Sequence, residues 1–164
     1  MSIKKSIALI LAMVTTLSLL SCQSNSFKMA STSMEPTIKN GETVSADLSI
    51  YDKELPSRGD VVLFHSPVMI EKDWVMRVVG LPGEVVSFDS TGVLINNNPL
   101  DSSTFNVKYD MSESGIGSSK FLAHPYQIPE KQYYLLGDNV DDAYDSRFWG
   151  SISKDQIFGK VIEN

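Results

Sequence analysis

Ser31-Thr32-Ser33-Met34-Glu35-Pro36-Thr37 sets two serine hydroxyls two residues apart, ahead of a proline that rigidifies the exit of the segment. A serine can act as a nucleophile when it is held in place, has a nearby proton acceptor, and faces donors for the oxyanion that forms. On its own, such a segment also reads as a turn whose hydroxyls cap backbone groups. Other chemistries are poorly supplied. The single cysteine, Cys22, rules out an internal disulfide framework and any multi-cysteine zinc or iron–sulfur site. Two histidines, His65 and His124, leave little for a histidine-rich metal centre, so no metal and no cofactor is expected. The chain carries 14 Lys+Arg against 20 Asp+Glu, a net charge of -6, which argues against a nucleic-acid partner. A hydrolytic or peptide-binding globular domain survives these exclusions.

The elements that must position those hydroxyls are short strands. A length of 164 residues with 42% hydrophobic content fits one domain with a real core. Runs rich in β-branched and aromatic residues occur at Glu42–Ala46, Asp60–Phe64, Trp74–Val79, Val85–Phe88, Val93–Ile95 and Gln132–Leu136. Turn formers bound them: Asn40-Gly41, Arg58-Gly59, Ser66-Pro67, Gly80-Leu81-Pro82-Gly83, Asp89-Ser90-Thr91-Gly92 and Gly137-Asp138-Asn139. No long stretch of helical period competes. The pattern predicts a mainly β fold, antiparallel and partly barrel-like, with an irregular excursion over 101–120 that carries Gly115 and Gly117.

The N-terminus reads as an address. Lys4 and Lys5 precede an apolar run from Ile7 to Leu20, shorter than the about 20 apolar residues of a spanning helix. Leu19-Leu20-Ser21-Cys22 resembles a bacterial lipoprotein processing box. Residues 1–21 are therefore expected to be a lipoprotein-type signal peptide, with Cys22 lipidated, 22–26 a tether and 27–164 the folded domain. An uncleaved short membrane anchor is the alternative. Either places the domain outside the cytoplasm, on the periplasmic or cell-surface side of a membrane.

Three further blocks give the serine segment its context. Phe27–Thr37, Arg58-Gly59-Asp60-Val61-Val62-Leu63-Phe64, Arg77-Val78-Val79-Gly80-Leu81-Pro82-Gly83-Glu84, and Gly137-Asp138-Asn139 followed by Asp145-Ser146-Arg147 and Trp149-Gly150, resemble the successive blocks of type I signal peptidases, in that family's order. The resemblance implies a signal-peptidase fold and a serine endopeptidase acting on signal peptides at a membrane. By position it makes Ser33 the nucleophile. It makes Ser31 the hydroxyl that completes the oxyanion hole with the backbone N–H at 33. Met29, Met34 and Val75 match positions lining the apolar pockets for small residues before the cleavage site. Arg77, Asp138, Asp145 and Arg147 match structural positions around the site. Substrates of the family bind as an added extended strand.

The chain departs from the family at two positions. The general-base lysine stands directly before the arginine of the third block, and here that residue is Met76. The serine that holds this lysine is replaced by Ala143. The two changes are coherent. A lysine works as a base near neutral pH only in surroundings that lower its pKa from about 10.4, and such surroundings are apolar. Methionine fills an apolar slot of that length without burying an amine. A hydroxyl left without its partner would cost about 1–3 kcal/mol, which alanine avoids. Lys39, His65, Lys72, Asp141 and Asp142 are the remaining titratable candidates for a substitute base, with Lys72 roughly 13 Å along an extended strand from Met76. Two functions follow: a signal-peptidase-like endopeptidase of impaired activity, or a catalytically inactive homologue that binds signal peptides or other extended peptides.

Overall fold

The computed structural model describes residues 25–89, 92–101, 103, 107, 109 and 125–162. The expected signal peptide, Cys22 and most of the tether and of the 101–120 excursion lie outside the described residues. Eleven strands are described: β1 Asn25–Lys28, β2 Thr43–Asp47, β3 Val61–His65, β4 Asp73–Gly80, β5 Val85–Asp89, β6 Gly92–Ile95, β7 Asn98–Pro99, β8 Tyr126–Gln127, β9 Gln132–Leu136, β10 Ile152–Ser153 and β11 Ile157–Ile162. One short helix, α1, spans Ser146–Trp149, and 3-10 turns occupy Ile50–Asp52 and Lys154–Gln156.

Every described pairing is antiparallel. A seven-stranded sheet runs β1-β2-β11-β3-β4-β9-β10, and a four-stranded sheet runs β7-β6-β5-β8. The large sheet ends on β1 and β10, so the barrel is partial, not closed. Each sheet owns a core. Val62, Phe64, Met76, Val78, Tyr133, Leu135 and Ile152 belong to the first, and Val79, Val86, Tyr134, Leu136 and Ile128 to the second. Tyr133 and Leu135 thus alternate with Tyr134 and Leu136 along β9, and one strand feeds both cores from its two faces.

The six expected strands are present within a residue or two. β1 starts at Asn25, two residues before the expected start of the domain. β11 is a strand the sequence reading missed, and it lies between β2 and β3 near the middle of the large sheet. Gly159 hides it by breaking the apolar alternation, and a register shift falls between Ile157 and Gly159. A Cβ at Gly159 would stand 2.6 Å from Leu48 Cδ2, so a side chain there would have to displace the tip of Leu48. Within the polar 101–120 stretch, Val107 and Tyr109 are buried in the second core.

Candidate active site

β1 delivers the serine segment. Its pairing with the chain after Asn40 continues past the strand: Met29 N–H donates to Glu42 O at 2.8 Å and Gly41 N–H to Met29 O at 2.9 Å. The chain then turns, with Glu35 N–H on Thr32 O at 3.0 Å and Ile38 N–H on Met34 O at 2.9 Å. The Gly137-Asp138-Asn139 block clamps this turn. Asn139 donates its backbone N–H to Ser33 O at 3.0 Å and its Nδ2 to Thr32 O at 3.2 Å. Gly137 allows the contact, because a Cβ there would fall 2.5 Å from both Ser33 O and Ala143 Cβ.

The two serine hydroxyls meet in the structure. Ser31 Oγ and Ser33 Oγ lie 2.9 Å apart. Ser33 is 9% exposed, while Ser31 stands open to solvent. Among the described residues, Ser31 Oγ is the one hydrogen-bond partner of Ser33 Oγ. Thr32, between them, points its hydroxyl elsewhere and donates it to Asp142 Oδ2.

Both serines open into a groove of about 410 Å³. Phe27 to Ala30 form one wall, and Leu63 with Trp74, Val75 and Met76 form the other. The antiparallel register sets Val75 against Leu63 and Met76 against Val62, which brings β4 to the groove. Met76 is 3% exposed and belongs to the first core. The structure therefore gathers Ser31, Ser33, Met29, Val75 and Met76 at one place. Met34 is not among the groove-lining residues; it is fully buried in the first core. Ala143 is buried against Gly137, behind the turn that carries Ser33.

Two buried ion pairs hold the surrounding loops. Arg77, 1% exposed, donates Nε to Asp138 Oδ1 at 2.8 Å, Nη2 to Asp138 Oδ2 at 2.6 Å and Nη1 to Gly59 O at 2.8 Å. Thr37 Oγ1 and Tyr109 OH also donate to the Asp138 carboxylate. This one carboxylate thereby joins the serine segment, β4 and the loop after β9. Asp145 caps α1 by accepting Arg147 N–H, and it takes Arg147 Nε at 2.8 Å and Nη2 at 2.9 Å. Burial pushes the Asp145 carboxyl upward, while Arg147 and the backbone N–H groups of Arg147 and Gly137 counter it.

The other titratable candidates are engaged elsewhere or exposed. His65 Nδ1 pairs with Asp73 at 2.8 Å on the surface, and Asp142 holds Thr32. Lys39 and Asp141 are exposed. Lys72 lies in the groove wall, yet it is exposed and makes no hydrogen bond to Ser33. Trp74 and Tyr144 are groove residues that the sequence reading missed. Their rings meet edge-on with centroids 6.3 Å apart. Trp74 was legible in principle, since it lies two residues before Met76 on the same strand. Tyr144 follows a buried alanine in a loop and offered no periodic signal. Among the described residues, no group of three or more His, Cys, Asp or Glu is placed to hold a metal.

Comparison with known proteins agrees in one direction. The family model described as "Signal peptidase, peptidase S26" matches residues 2–163. Signal peptidase IB of Staphylococcus aureus is 36% identical over 137 residues, covering 79% of this chain and 71% of that protein. Signal peptidase I of Leptolyngbya laminosa is 30% identical over 139 residues, covering 80% of this chain and 64% of that protein. A crystal structure of a signal peptidase I from Enterococcus faecalis V583 shares 27% identity, with a TM-score of 0.48, over 67% of this chain and 98% of that one. A family match over nearly the whole chain, joined to a serine pair that opens into a groove beside β4, establishes that this chain belongs to the signal peptidase (peptidase S26) family.

Proposed function

We propose that the chain is a signal-peptidase-type serine endopeptidase domain that receives signal peptides of exported proteins at a membrane surface, and that its hydrolytic step is impaired. An extended peptide would lie in the groove against β1 and its continuation, pairing main chain to main chain. Met29 and Val75 offer apolar contact for small side chains before the scissile bond. Ser33 Oγ would attack the carbonyl, and Ser31 Oγ with the Ser33 N–H would stabilise the oxyanion. The attack needs an acceptor for the Ser33 proton. The family's acceptor position holds the buried thioether of Met76, and Ala143 stands where the orienting hydroxyl would be.

The observation that carries the impairment is the hydrogen bonding of Ser33 Oγ, whose partner is another neutral hydroxyl 2.9 Å away. The same observation favours a second reading, a catalytically silent relative that retains extended peptides in the groove. Residues 1–21 would act as a lipoprotein-type signal peptide or short anchor, and lipid on Cys22 would hold the domain on the extracytoplasmic side.

The test is cleavage of an Ala-x-Ala signal-peptide substrate by the native chain, by Ser33→Ala and by Met76→Lys/Ala143→Ser. Slow or absent Ser33-dependent cleavage by the native chain, with gain in the double variant, is expected. Rapid Ser33-dependent turnover by the native chain would refute the impairment.

A further inference from the structure

The turn between β3 and β4 exposes three consecutive large apolar residues. Val68 is 46% exposed, Met69 50% and Ile70 92%. A run of this kind on a soluble surface needs a reason. The turn is built rather than loose. Ser66 Oγ accepts the N–H groups of Val68 and Met69, Ser66 N–H donates to Lys72 O at 2.9 Å, and Lys72 N–H donates to Met69 O. The fold thus spends polar groups on holding apolar side chains outward.

The registers say which way this tip faces. Asn25 pairs with Ala46, Ala46 with Val161, Lys160 with Val62 and Ile157 with Phe64. Running back along β1 toward Asn25 is therefore the same direction as running forward along β3 toward His65 and the tip. The N-terminal end of β1 and the β3–β4 tip emerge at one end of the sheet. The sequence immediately before β1 carries the apolar run from Ile7 to Leu20 and Cys22. Lys72, Asp73 and Trp74 lead from the tip into the groove wall, and Trp74 meets the half-exposed Tyr144 there. An aromatic pair beside an apolar tip suits the water–lipid boundary.

We infer that the Val68-Met69-Ile70 tip enters the lipid surface beside the N-terminal attachment and sets the mouth of the groove at the membrane interface. This rests on the membrane placement proposed above and adds the face and the depth. A peptide leaving the bilayer would meet Trp74 and the groove without crossing bulk water.

The full chain reconstituted in phospholipid vesicles tests it. Ile70→Trp and Thr43→Trp variants are compared with the native chain in vesicles whose acyl chains carry bromine, a contact quencher of tryptophan. Thr43 is exposed at the opposite end of the sheet, at least roughly 20 Å away along the strands. Added emission at 70 should shift to the blue and be quenched, while that at 43 should remain unquenched. A chain that binds vesicles with position 70 unquenched overturns the tip assignment and leaves the membrane placement standing. A chain that fails to bind vesicles overturns both. A blue shift that follows the protein-to-lipid ratio without quenching assigns the tip to a second copy of the chain and overturns the lipid reading.

Discussion

Placing an amine at Met76, the position that the proposed reading leaves without a base, is the sharpest perturbation. Met76 is 3% exposed in the first core, so a lysine there would hold its amine in apolar surroundings. Burial of that kind lowers an amine's pKa by up to about 3–5 units, toward the range where it can accept the Ser33 proton. Positioned acid–base help is worth about 10²–10⁴-fold, and a coupled serine site can span about 10⁶-fold because its members act together. Met76→Lys alone leaves the amine without its orienting hydroxyl and should destabilise the fold by about 1–3 kcal/mol. Adding Ala143→Ser should return part of that stability and raise Ser33-dependent cleavage by at least about 10²-fold over the native chain. The rate should climb as pH passes through the lowered amine pKa, because the neutral amine is the base. The assay is cleavage of an Ala-x-Ala substrate across pH, with the Ser33→Ala triple variant as the blank, beside denaturant unfolding of each protein. A folded double variant with no Ser33-dependent cleavage would refute the reasoning, since every other part of the site would then be insufficient.

Gly137→Ala should destabilise the fold and disturb the Ser33 turn, because its methyl would meet Ser33 O and Ala143 Cβ at 2.5 Å; a lowered melting temperature with weakened peptide binding is the expected reading. Arg77→Leu leaves Asp138 buried without its cation and should lose about 3–5 kcal/mol in denaturant unfolding. Burial holds the Tyr109 and Tyr134 phenols above their ordinary value of 10.0. Unfolded tyrosines ionise there while these stay neutral, so stability is intact below pH 10 and falls above it, by about 1.4 kcal/mol per pH unit for each, as melting across alkaline pH will show. Fatty-acid labelling in cells should mark the chain and vanish in Cys22→Ala; labelling unchanged by that substitution would remove the lipid anchor.

Much of the large sheet was legible because β3, β4 and β9 are apolar runs bounded by turn formers. β11 was not, because Gly159 interrupts its apolar alternation beside a register shift between Ile157 and Gly159. Ser31 and Ser33 were singled out through the family blocks around them, and the structure places both at the groove. Their orientation toward one another, and away from Thr32, depends on the Asn139 clamp more than 100 residues later in the chain. Met34 shows the limit of positional transfer: its place beside the serine suggested a pocket wall, and packing put it in the core. Tyr144 and Lys72 reach the groove from loops, where neither period nor propensity reports direction.

The scaffold is physically separable from the two positions that the proposed reading assigns to the base and its orienter, Met76 and Ala143. Arg77 and Asp138 tie the serine segment to β4 through Thr37 and Gly59, and Arg147 and Asp145 tie α1 to Gly137 and Val140. None of these contacts passes through the side chains of Met76 or Ala143. An amine can therefore be exchanged for a thioether, and a hydroxyl for a methyl, while the groove and the Ser31–Ser33 pair keep their shape. Peptide affinity should then be insensitive to both positions even as turnover changes by orders of magnitude. Titrating an uncleavable Ala-x-Ala peptide into the native chain and into Met76→Lys/Ala143→Ser should give dissociation constants within about threefold of each other, equivalent to about 0.7 kcal/mol. A larger gap would mean that the lysine–serine pair shapes the groove as well as the chemistry, and the separation argued here would fail.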